Sequence, residues 1–474
     1  MTLAANHHAS YSTHLLPRFD LSIRRTLAFL AAAVVIAWST LASAQAGTLD
    51  PTFGTGGIFS TNFTQTGAAD NAIAIQSDGK IIVGGLVPNS NGDAALIRLN
   101  TNGTLDTSFG NGGVVTSSFG LTDGAIVFGI AIQPNGQIVA AAEGGFLDDG
   151  SVGRFNTDGS VDTTFASNGF AVSNSINSPP GATNAMALQP DGSIVVTGGG
   201  FMGRYTSTGQ VDTTFGNNGV ATLNSLIVTG MALQSDGKIL VTTGSGSETQ
   251  ILSSLPLPSA TAGSISRYNS NGSLDTTFGV SGQAACVASA AGIAIQSNGK
   301  IVVAGTITSG LANVLYNGRM YFNNQTGFGV VRYNQNGSID TSFNPGAGFG
   351  SGGGVITGFG SSFPYGGAFA LAIQSNGEIV LAGVAGNATF NGGQAPSQFN
   401  SASFALARYT TSGQLDTSFG TNGTVITTIG QNNISFVIAL SIQSDGKIVA
   451  AGNSGPPARN DLIDNFEVAR YLAQ

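Results

Sequence analysis

Three short phrases recur seven times, in a fixed order, along most of the 474-residue chain. One is Leu-Asp-x-x-Phe or a close variant, another has the form AIQSNGKIVVAG, and the third ends in an arginine that an aromatic residue usually follows. Self-similarity at a fixed period is typical of repeat architectures, in which each repeat is one supersecondary unit. We therefore expect the chain to consist of seven copies of one small unit.

Each copy contains four short stretches that predict β-strands, which we label A to D in chain order. Strands A and B are nearly continuous apolar runs, a pattern typical of strands whose two faces are both buried. The turn between them contains a glycine, which adopts the left-handed backbone conformation that tight hairpins need. Four-stranded antiparallel sheets covered on both faces, repeated seven times, predict an all-β protein and a seven-bladed β-propeller.

The repeats are out of phase with the chain. The first Leu-Asp-x-x-Phe phrase begins at Gly47, whereas the last arginine phrase, VARYL, covers residues 468–472. A chain that begins with strand D and ends with strand C can complete its last blade by pairing residues 47–54 with 468–472, which removes a free sheet edge. An open solenoid would instead need polar caps, which we do not find in the sequence. We therefore expect a ring that the N-terminal strand closes.

Together the three phrases resemble the delta-60 repeat of bacterial exported proteins, over residues 47–474. They are also similar, more distantly, to the repeats of NHL-type propellers. Departures are small: Ala166 and Asn344 replace the glycine after the phenylalanine, and Leu99 replaces the aromatic residue after the arginine. The resemblance implies a propeller-like exported protein and brings no established chemistry with it.

The first 46 residues differ from the rest and are typical of a secretory signal peptide. Arg24 and Arg25 precede the apolar run TLAFLAAAVVIAWSTL, and small residues follow it, so that cleavage after Ala44 or after Ala46 fits. The run is short for a membrane span, although an uncleaved N-terminal anchor is the alternative. We expect residues 47–474 to form a secreted or periplasmic propeller that does not insert into a membrane once the signal is removed.

Removal of that segment would limit the chemistry of the mature protein. All three histidines, His7, His8 and His14, precede the cleavage sites, which excludes a histidine base and a histidine-ligated zinc ion. Cys286 is the single cysteine and can form no internal disulfide, so stability has to come from packing. The formal net charge of −8 gives the protein no electrostatic reason to bind nucleic acid.

One arginine recurs in every repeat, and in the first six it precedes an aspartate by eight residues. Across a tight hairpin this spacing makes them neighbours, and we interpret them as buried pairs that fix the strand register rather than as a ring of ligand-binding arginines. The pairs are Arg98 with Asp106, Arg154 with Asp162, Arg204 with Asp212, Arg267 with Asp275, Arg332 with Asp340, Arg408 with Asp416, and Arg470 with Asp50 through the ring closure. The lysines in the turns between strands A and B are expected to cap backbone groups.

The connections between strands B and C and between strands D and A share one face of the predicted ring and vary widely in length. Repeat 5 carries the insert TITSGLANVLYNGRMYFNNQTGFG, and repeat 6 carries NPGAGFGSGGG and GNATFNGGQAPSQFNSAS. Exposed aromatic rings beside amides can stack on a sugar or bind a peptide, which makes a protein or a glycan the candidate ligand. The alternative is that such loops bury their own aromatic residues. The candidate ligand-binding residues are Tyr316, Arg319, Tyr321, Phe322, Tyr365, Phe390 and Phe399.

Acidic residues outside the repeated positions concentrate in the same kind of connection in repeats 1, 2 and 7. Clusters of carboxylates suit Ca²⁺, which takes about six to eight oxygen ligands. Their spacing matches no EF-hand loop, and a solvated acidic surface is the alternative that we favour. The candidate calcium ligands are Asp70, Asp93, Asp123, Asp148, Asp149, Asp461 and Asp464. No other cofactor is expected.

These observations predict a monomeric, exported binding module of adhesion-like character, without catalytic activity, whose ligand lies on the long-loop face of repeats 5 and 6. A rigid ring with one variable face and no catalytic constellation is the basis of this interpretation. Two alternatives stay open: a carboxylate-based, Ca-dependent hydrolase or lyase, and a structural component of an envelope or matrix. The enzyme alternative rests on analogy between folds alone.

Overall fold

In a computed structural model, the regular elements of the described part of the protein are 28 β-strands. The chain divides into two units, Met1–Ala44 and Gln45–Gln474, and the first lies outside the described residues, as does all of the predicted signal peptide except Gln45 and Ala46. No helix long and apolar enough to cross a membrane occurs in the described part. The structure describes residues 45–62, 69–87, 92–122, 124–144, 150–173, 185–225, 228–243, 263–286, 289–316, 319–345, 353–389, 398–430, 434–456 and 465–474.

Five groups of four consecutive strands each form an antiparallel sheet in which the spatial order follows the chain. The first two are β2–β5 (Ala69–Ile75, Ile81–Leu86, Ala94–Leu99, Val114–Ser117) and β6–β9 (Ile126–Ile132, Ile138–Glu143, Gly150–Phe155, Phe170–Ser173). The next two are β10–β13 (Ala185–Leu188, Ile194–Gly198, Phe201–Tyr205, Val220–Thr222) and β14–β17 (Val228–Leu233, Ile239–Thr243, Ser264–Tyr268, Gln283–Ala285). The fifth is β18–β21 (Ser289–Ile295, Ile301–Tyr316, Arg319–Tyr333, Gly354–Thr357).

A sixth sheet has eight strands and contains both ends of this unit. It combines two antiparallel groups of four, joined by a parallel bridge between Ala402 and Ile434. The groups are β22–β25 (Tyr365–Ile373, Ile379–Thr389, Gln398–Tyr409, Thr424–Thr427) and β26–β28 (Ile434–Ile442, Ile448–Gly455, Asn465–Tyr471) with β1 (Ile58–Asn62) beside β28. The prediction of an all-β fold made of four-stranded antiparallel sheets is confirmed.

The two middle strands of each sheet, B and C, are its most buried parts. In the first sheet β4 is buried along its whole length and β3 along all but its last residue. The outer strands A and D are mostly half-buried, as in β14 and β5. Strand A is therefore less covered than the apolar pattern suggests, because it lies at a sheet edge, where one side has no hydrogen-bonded neighbour.

The hydrophobic core lies between successive sheets. The phenylalanine of the Leu-Asp-x-x-Phe phrase is fully buried in all seven repeats. Phe109 of the first sheet shares a cluster with Ile138 of the second, and Phe53 from the N-terminal segment shares one with Ile97 of the first sheet. Burying one such ring contributes about 2–3 kcal/mol. Each repeat is thus stabilised by its neighbours rather than by a core of its own.

The turns between strands C and D approach the neighbouring sheet closely. In the first of them, Asn100 N donates to Thr104 O at 2.8 Å and Gly103 N donates to Asn100 O at 2.9 Å. Gly103 has a φ of +79°, and a Cβ atom there would lie 2.6 Å from Gly54 N. Only glycine meets both conditions, which explains why it recurs at this position.

The corresponding turn after β28 is made by two separate pieces of chain. Leu472 N donates to Thr48 O at 2.9 Å, and Gly47 N donates to Leu472 O at 2.8 Å, which are the same two bonds as in the first turn. Leu49 then bridges Tyr471, and β1 continues antiparallel to β28. The seventh repeat therefore obtains its fourth strand from the N-terminal segment.

Candidate functional site

Each repeat carries an ion pair, buried or half-buried, where strand C turns into strand D. Arg98 donates from Nε to Asp106 Oδ2 at 2.7 Å, and the two side chains are 7% and 8% exposed. The other six pairs have Nε–Oδ2 distances of 2.6–2.9 Å: Arg154 with Asp162, Arg204 with Asp212, Arg267 with Asp275, Arg332 with Asp340, Arg408 with Asp416, and Arg470 with Asp50. The structure thus brings together every arginine and aspartate that the eight-residue spacing matched.

A lysine from the turn between strands A and B joins the ion pair in four repeats. Its Nζ lies 2.5–3.2 Å from the Oδ2 atom that the arginine also contacts, in Lys80 with Asp106, Lys238 with Asp275, Lys300 with Asp340, and Lys447 with Asp50. In the second repeat Gln137 takes this place and donates to Asp162 Oδ2 at 2.7 Å. These lysines contact a carboxylate, whereas the sequence suggested that they cap backbone groups.

Each arginine also reaches the following repeat. Arg154 donates from Nη1 to Ser207 O at 2.8 Å, and its Cζ lies 4.8 Å from the ring centroid of Phe165. Arg470, in the last repeat, donates from Nη1 to Thr101 O in the first, at 2.5 Å. A stacked arginine of this kind contributes about 0.5–2 kcal/mol through its contact with the ring. The arginines therefore connect successive repeats, and this gives them a role within the fold.

The surroundings of these aspartates favour the charged carboxylate. Burial raises the pKa of Asp50, but hydrogen bonds from the hydroxyl and backbone of Thr52, together with Lys447 and Arg470, lower it to about 2. The pKa of Asp162 is also lowered to about 2, since hydrogen bonds and a nearby arginine outweigh its burial. A carboxylate with so low a pKa is a weak general base, and its contacts with the neighbouring arginine and hydroxyl tie it to the fold.

The insert of repeat 5 forms a long hairpin rather than a loop. Strands β19 and β20 have 16 and 15 residues, whereas the equivalent β3 and β4 have six each. The strands are longer by ten and nine residues, which at about 3.3 Å per residue lengthens the hairpin by about 30 Å. Tyr316 lies opposite Arg319, Val314 opposite Tyr321, and Asn313 opposite Phe322. Four candidate ligand residues are therefore brought together within one end of the hairpin.

Repeat 6 has a second lengthened hairpin, formed by β23 and β24 with 11 and 12 residues. Phe399 lies opposite Ala388 near its end, while Phe390 lies outside the described residues. The two long hairpins belong to successive repeats. The candidate ligand-binding residues in the described ranges, apart from Tyr365, lie in these two hairpins.

Tyr365 does not present an exposed ring. It begins β22 opposite Gly386, is 2% exposed, and packs in a cluster with Val384, Ala402 and Phe436. Burial also raises the pKa of its hydroxyl. This tyrosine was a candidate for ligand binding through an exposed ring, but β22 starts at the residue itself and the ring packs in the core.

The candidate calcium ligands fall mostly outside the described residues: Asp123, Asp148, Asp149, Asp461 and Asp464. Asp70 lies in β2 opposite Gly85, next to an irregularity in the register. Asp93 is half-buried and accepts a hydrogen bond from Val87 N at its backbone oxygen. No group of three ligand side chains suited to a metal ion occurs in the described ranges. The calcium site stays a prediction.

Glu467 is a buried carboxyl that the sequence did not single out. It lies in β28, is 2% exposed, and accepts hydrogen bonds at Oε1 from Ser60 Oγ at 2.9 Å and Ser454 Oγ at 2.7 Å. Among the described residues, the other buried carboxylates each lie beside an arginine. Burial raises the pKa of Glu467, although the two serine hydroxyls partly oppose this. Since its hydrogen bonds with Ser60 and Ser454 both join strands of the last repeat, we treat Glu467 as part of the packing of that repeat.

Comparison with solved structures returns several matches of low sequence identity. Virginiamycin B lyase from Staphylococcus aureus matches at a TM-score of 0.47 and 11% identity, covering 87% of this chain and 98% of its own. The aldose sugar dehydrogenase of Streptomyces coelicolor matches at 0.38 and 14%, covering 72% and 96%. Drosophila Plexin A in complex with Semaphorin 1b matches at 0.41 and 10%, covering 90% and 88%. No curated protein matches the sequence significantly.

Comparison with known families finds one repeated match. The family is described as a domain of unknown function (DUF5122) beta-propeller, and the matching segments are residues 76–109, 133–165, 189–215, 259–278, 314–343 and 374–419. The first segment begins at Gln76 in the turn after strand A and ends at Phe109, the buried phenylalanine of the Leu-Asp-x-x-Phe phrase. The chain is therefore a β-propeller repeat protein, with repeats similar to the DUF5122 β-propeller domain.

Proposed function

We propose that the protein is an exported, non-enzymatic binding module, built as a seven-bladed propeller of delta-60 repeats whose N-terminal strand closes the ring. The narrow Ala402–Ile434 bridge supports a division of the eight-stranded sheet into two blades. The hydrogen bond from Arg470 to Thr101 O supports closure of the ring. It joins the last repeat to the first in the same way that the bond from Arg154 to Ser207 O joins two successive repeats. A closed ring is a rigid scaffold for connections that vary.

The observation that carries the proposed function is the lengthening of two successive hairpins, β19/β20 and β23/β24. Strands B and C of the first four repeats have only five or six residues each. The two hairpins are therefore longer on the side where strand B joins strand C. The opposite side, where strand C turns into strand D, is occupied by ion pairs that hold the fold together. Binding is therefore assigned to the hairpin side, and a protein or a glycan is the ligand that its tyrosines, phenylalanines and amides suit.

The proposal is tested by shortening both hairpins. Residues 309–325 are replaced by Asn-Gly between Thr308 and Thr326, and residues 388–400 by Asn-Gly between Asn387 and Ser401, since each flanking pair lies in register. The control variant receives the same turn in place of residues 88–91, in a short connection of the first repeat.

Each chain is tested on glycan and peptide arrays, and its thermal unfolding is measured. We expect the parent and the control to capture the same probes and the shortened variant to lose them while unfolding at a similar temperature. Equal capture by the shortened variant would overturn the assignment to these hairpins.

A further inference from the structure

The turns between strands C and D offer two consecutive carbonyls to the preceding repeat. In the first repeat, Thr101 O accepts from Arg470 Nη1 and Asn102 O accepts from Gly54 N. Five further turns do the same with the residue pairs Thr157 and Asp158, Ser207 and Thr208, Ser270 and Asn271, Gln335 and Asn336, and Thr411 and Ser412. Six turns thus use one unbroken piece of chain.

The seventh turn provides the same two carbonyls from opposite ends of the described unit. Ala473 O accepts from Arg408 Nη1 at 2.6 Å, and Ala46 O accepts from Gly420 N at 2.7 Å. Ala46 therefore takes the structural place that Asn102 has in the first repeat. It is 7% exposed and belongs to a core cluster with Phe419.

Gln45 is also tied to the fold. Its Nε2 donates to Gly420 O at 2.6 Å, and its backbone oxygen accepts from the backbone N and the hydroxyl of Thr48 at 3.0 Å and 2.7 Å. The folded unit begins at this residue. Residues 45 and 46 therefore belong to the propeller.

We infer that the leader is removed between Ala44 and Gln45, so that Gln45 is the first residue of the mature chain. This inference rests on the proposed export of the protein. Ala42 and Ala44 supply the small residues that a leader protease reads. The enzyme hydrolyses the Ala44–Gln45 peptide bond, consuming one water and leaving a carboxylate on Ala44 and an amino group on Gln45. Cleavage after Ala46 fits the same sequence pattern but would remove the carbonyl that Gly420 N needs.

The first test determines the N-terminus of the exported protein. The full chain is expressed in a bacterium that exports it, and the product is analysed by N-terminal sequencing and intact mass. A chain that begins at Gln45, or at its cyclised form lighter by one ammonia, supports the inference. A chain that begins at Gly47 overturns it and leaves the export intact. A chain that keeps residues 1–44 overturns both.

The variant Ala42→Asp separates the two cleavage sites. It removes the small residue three positions before the Ala44–Gln45 bond and leaves Ala44 and Ala46, the pattern for the other site, unchanged. We expect the precursor to accumulate. Undiminished processing to a chain that begins at Gly47 would overturn the inference.

A third measurement uses purified mature chains that begin at Gln45 or at Gly47. The shorter chain should unfold at a temperature lower by about 2 °C or more, because Gly420 N loses its acceptor. A Gln45→Ala chain keeps the Ala46 carbonyl and should unfold close to the parent. Equal unfolding temperatures for the chains that begin at Gln45 and Gly47 would overturn the role given to Ala46.

Discussion

Arg470 and Asp50 are 420 residues apart in the sequence and form a buried ion pair, with Nε 2.9 Å from Oδ2. Lys447 lies 3.2 Å from the same carboxylate oxygen, so one aspartate near the start of the folded unit contacts two cations near its end. The pair therefore joins pieces of chain that no local interaction brings together.

Replacing Asp50 by asparagine is expected to destabilise the protein by about 3 kcal/mol, because it leaves Arg470 and Lys447 beside a neutral, buried group. Urea unfolding followed by circular dichroism measures the change. The control is Asp445→Asn, since Asp445 lies 3.2 Å from the same lysine but has a side chain 53% exposed. The control should cost at most about 1 kcal/mol. Similar losses in the two variants would contradict the importance given to the Asp50 pair.

A circular permutant should fold if its original ends are joined across the seventh turn. Linking Ala473 directly to Ala46 omits Gln474 and Gln45 and reproduces the length of the other turns between strands C and D. The new ends are placed between Ser270 and Asn271. The backbone oxygens of these two residues accept hydrogen bonds from the preceding repeat, as the two backbone oxygens of the natural seventh turn do. We expect cooperative thermal unfolding within a few degrees of the parent. A control opened between Val303 and Ala304, inside a buried strand, should fail to fold.

Stability should fall in acid because the repeated aspartates are charged in the folded state. The pKa of Asp50 and that of Asp162 are lowered from 3.8 to about 2. A lowered pKa means that the unfolded chain binds protons more readily, so the stabilisation is present above pH 3.8 and is lost as the pH falls towards 2. Urea unfolding at a series of pH values measures this slope. In Asp162→Asn the slope should be shallower, and a free energy of unfolding that stays constant from pH 5 to pH 2 in the parent would refute the prediction.

Glu467 should have the opposite pH dependence. Its pKa is raised by burial, so the folded protein binds this proton more tightly than the unfolded chain does. Its contribution is largest below pH 4.5 and is lost as the pH rises through the folded-state pKa. Glu467→Gln keeps an oxygen for Ser60 and Ser454 but does not ionise. Its stability relative to the parent should therefore increase with pH between 4.5 and 9 in urea unfolding, and a constant difference would speak against a raised pKa.

Repetition made much of the fold predictable. Six arginines that each precede an aspartate by eight residues can be matched without a structure, because a tight hairpin fixes which residues become neighbours, and the phase of the repeats then matches Arg470 with Asp50. The lysine was missed because Lys80 precedes Asp106 by 26 residues and reaches it only through the order of strands in the sheet. Glu467 did have a signal: alternation places it on the same face of β28 as Ala469 and Tyr471, which are fully buried.

The long hairpins were harder to predict. The insert of repeat 5 contains glycine and asparagine and lacks a clean alternation of polar and apolar residues, so the sequence suggested a loop. The structure continues the pairing of β19 and β20 as far as Tyr316 and Arg319, with one shift of register between Ser309 and Ala312. The burial of Tyr365 was missed for a related reason, since nothing in its glycine-rich surroundings shows where β22 begins.

The split seventh turn has a consequence for the biosynthesis of the protein. Residues 45–54 are synthesised more than 400 residues before their partners, Arg470 and Tyr471. Until those partners emerge from the ribosome, the N-terminal strand lacks its neighbour and β28 has an open edge, the kind of surface that aggregates or is degraded. A chain truncated before residue 465 would keep the N-terminal strand unpaired, so the architecture makes such truncated molecules targets for degradation.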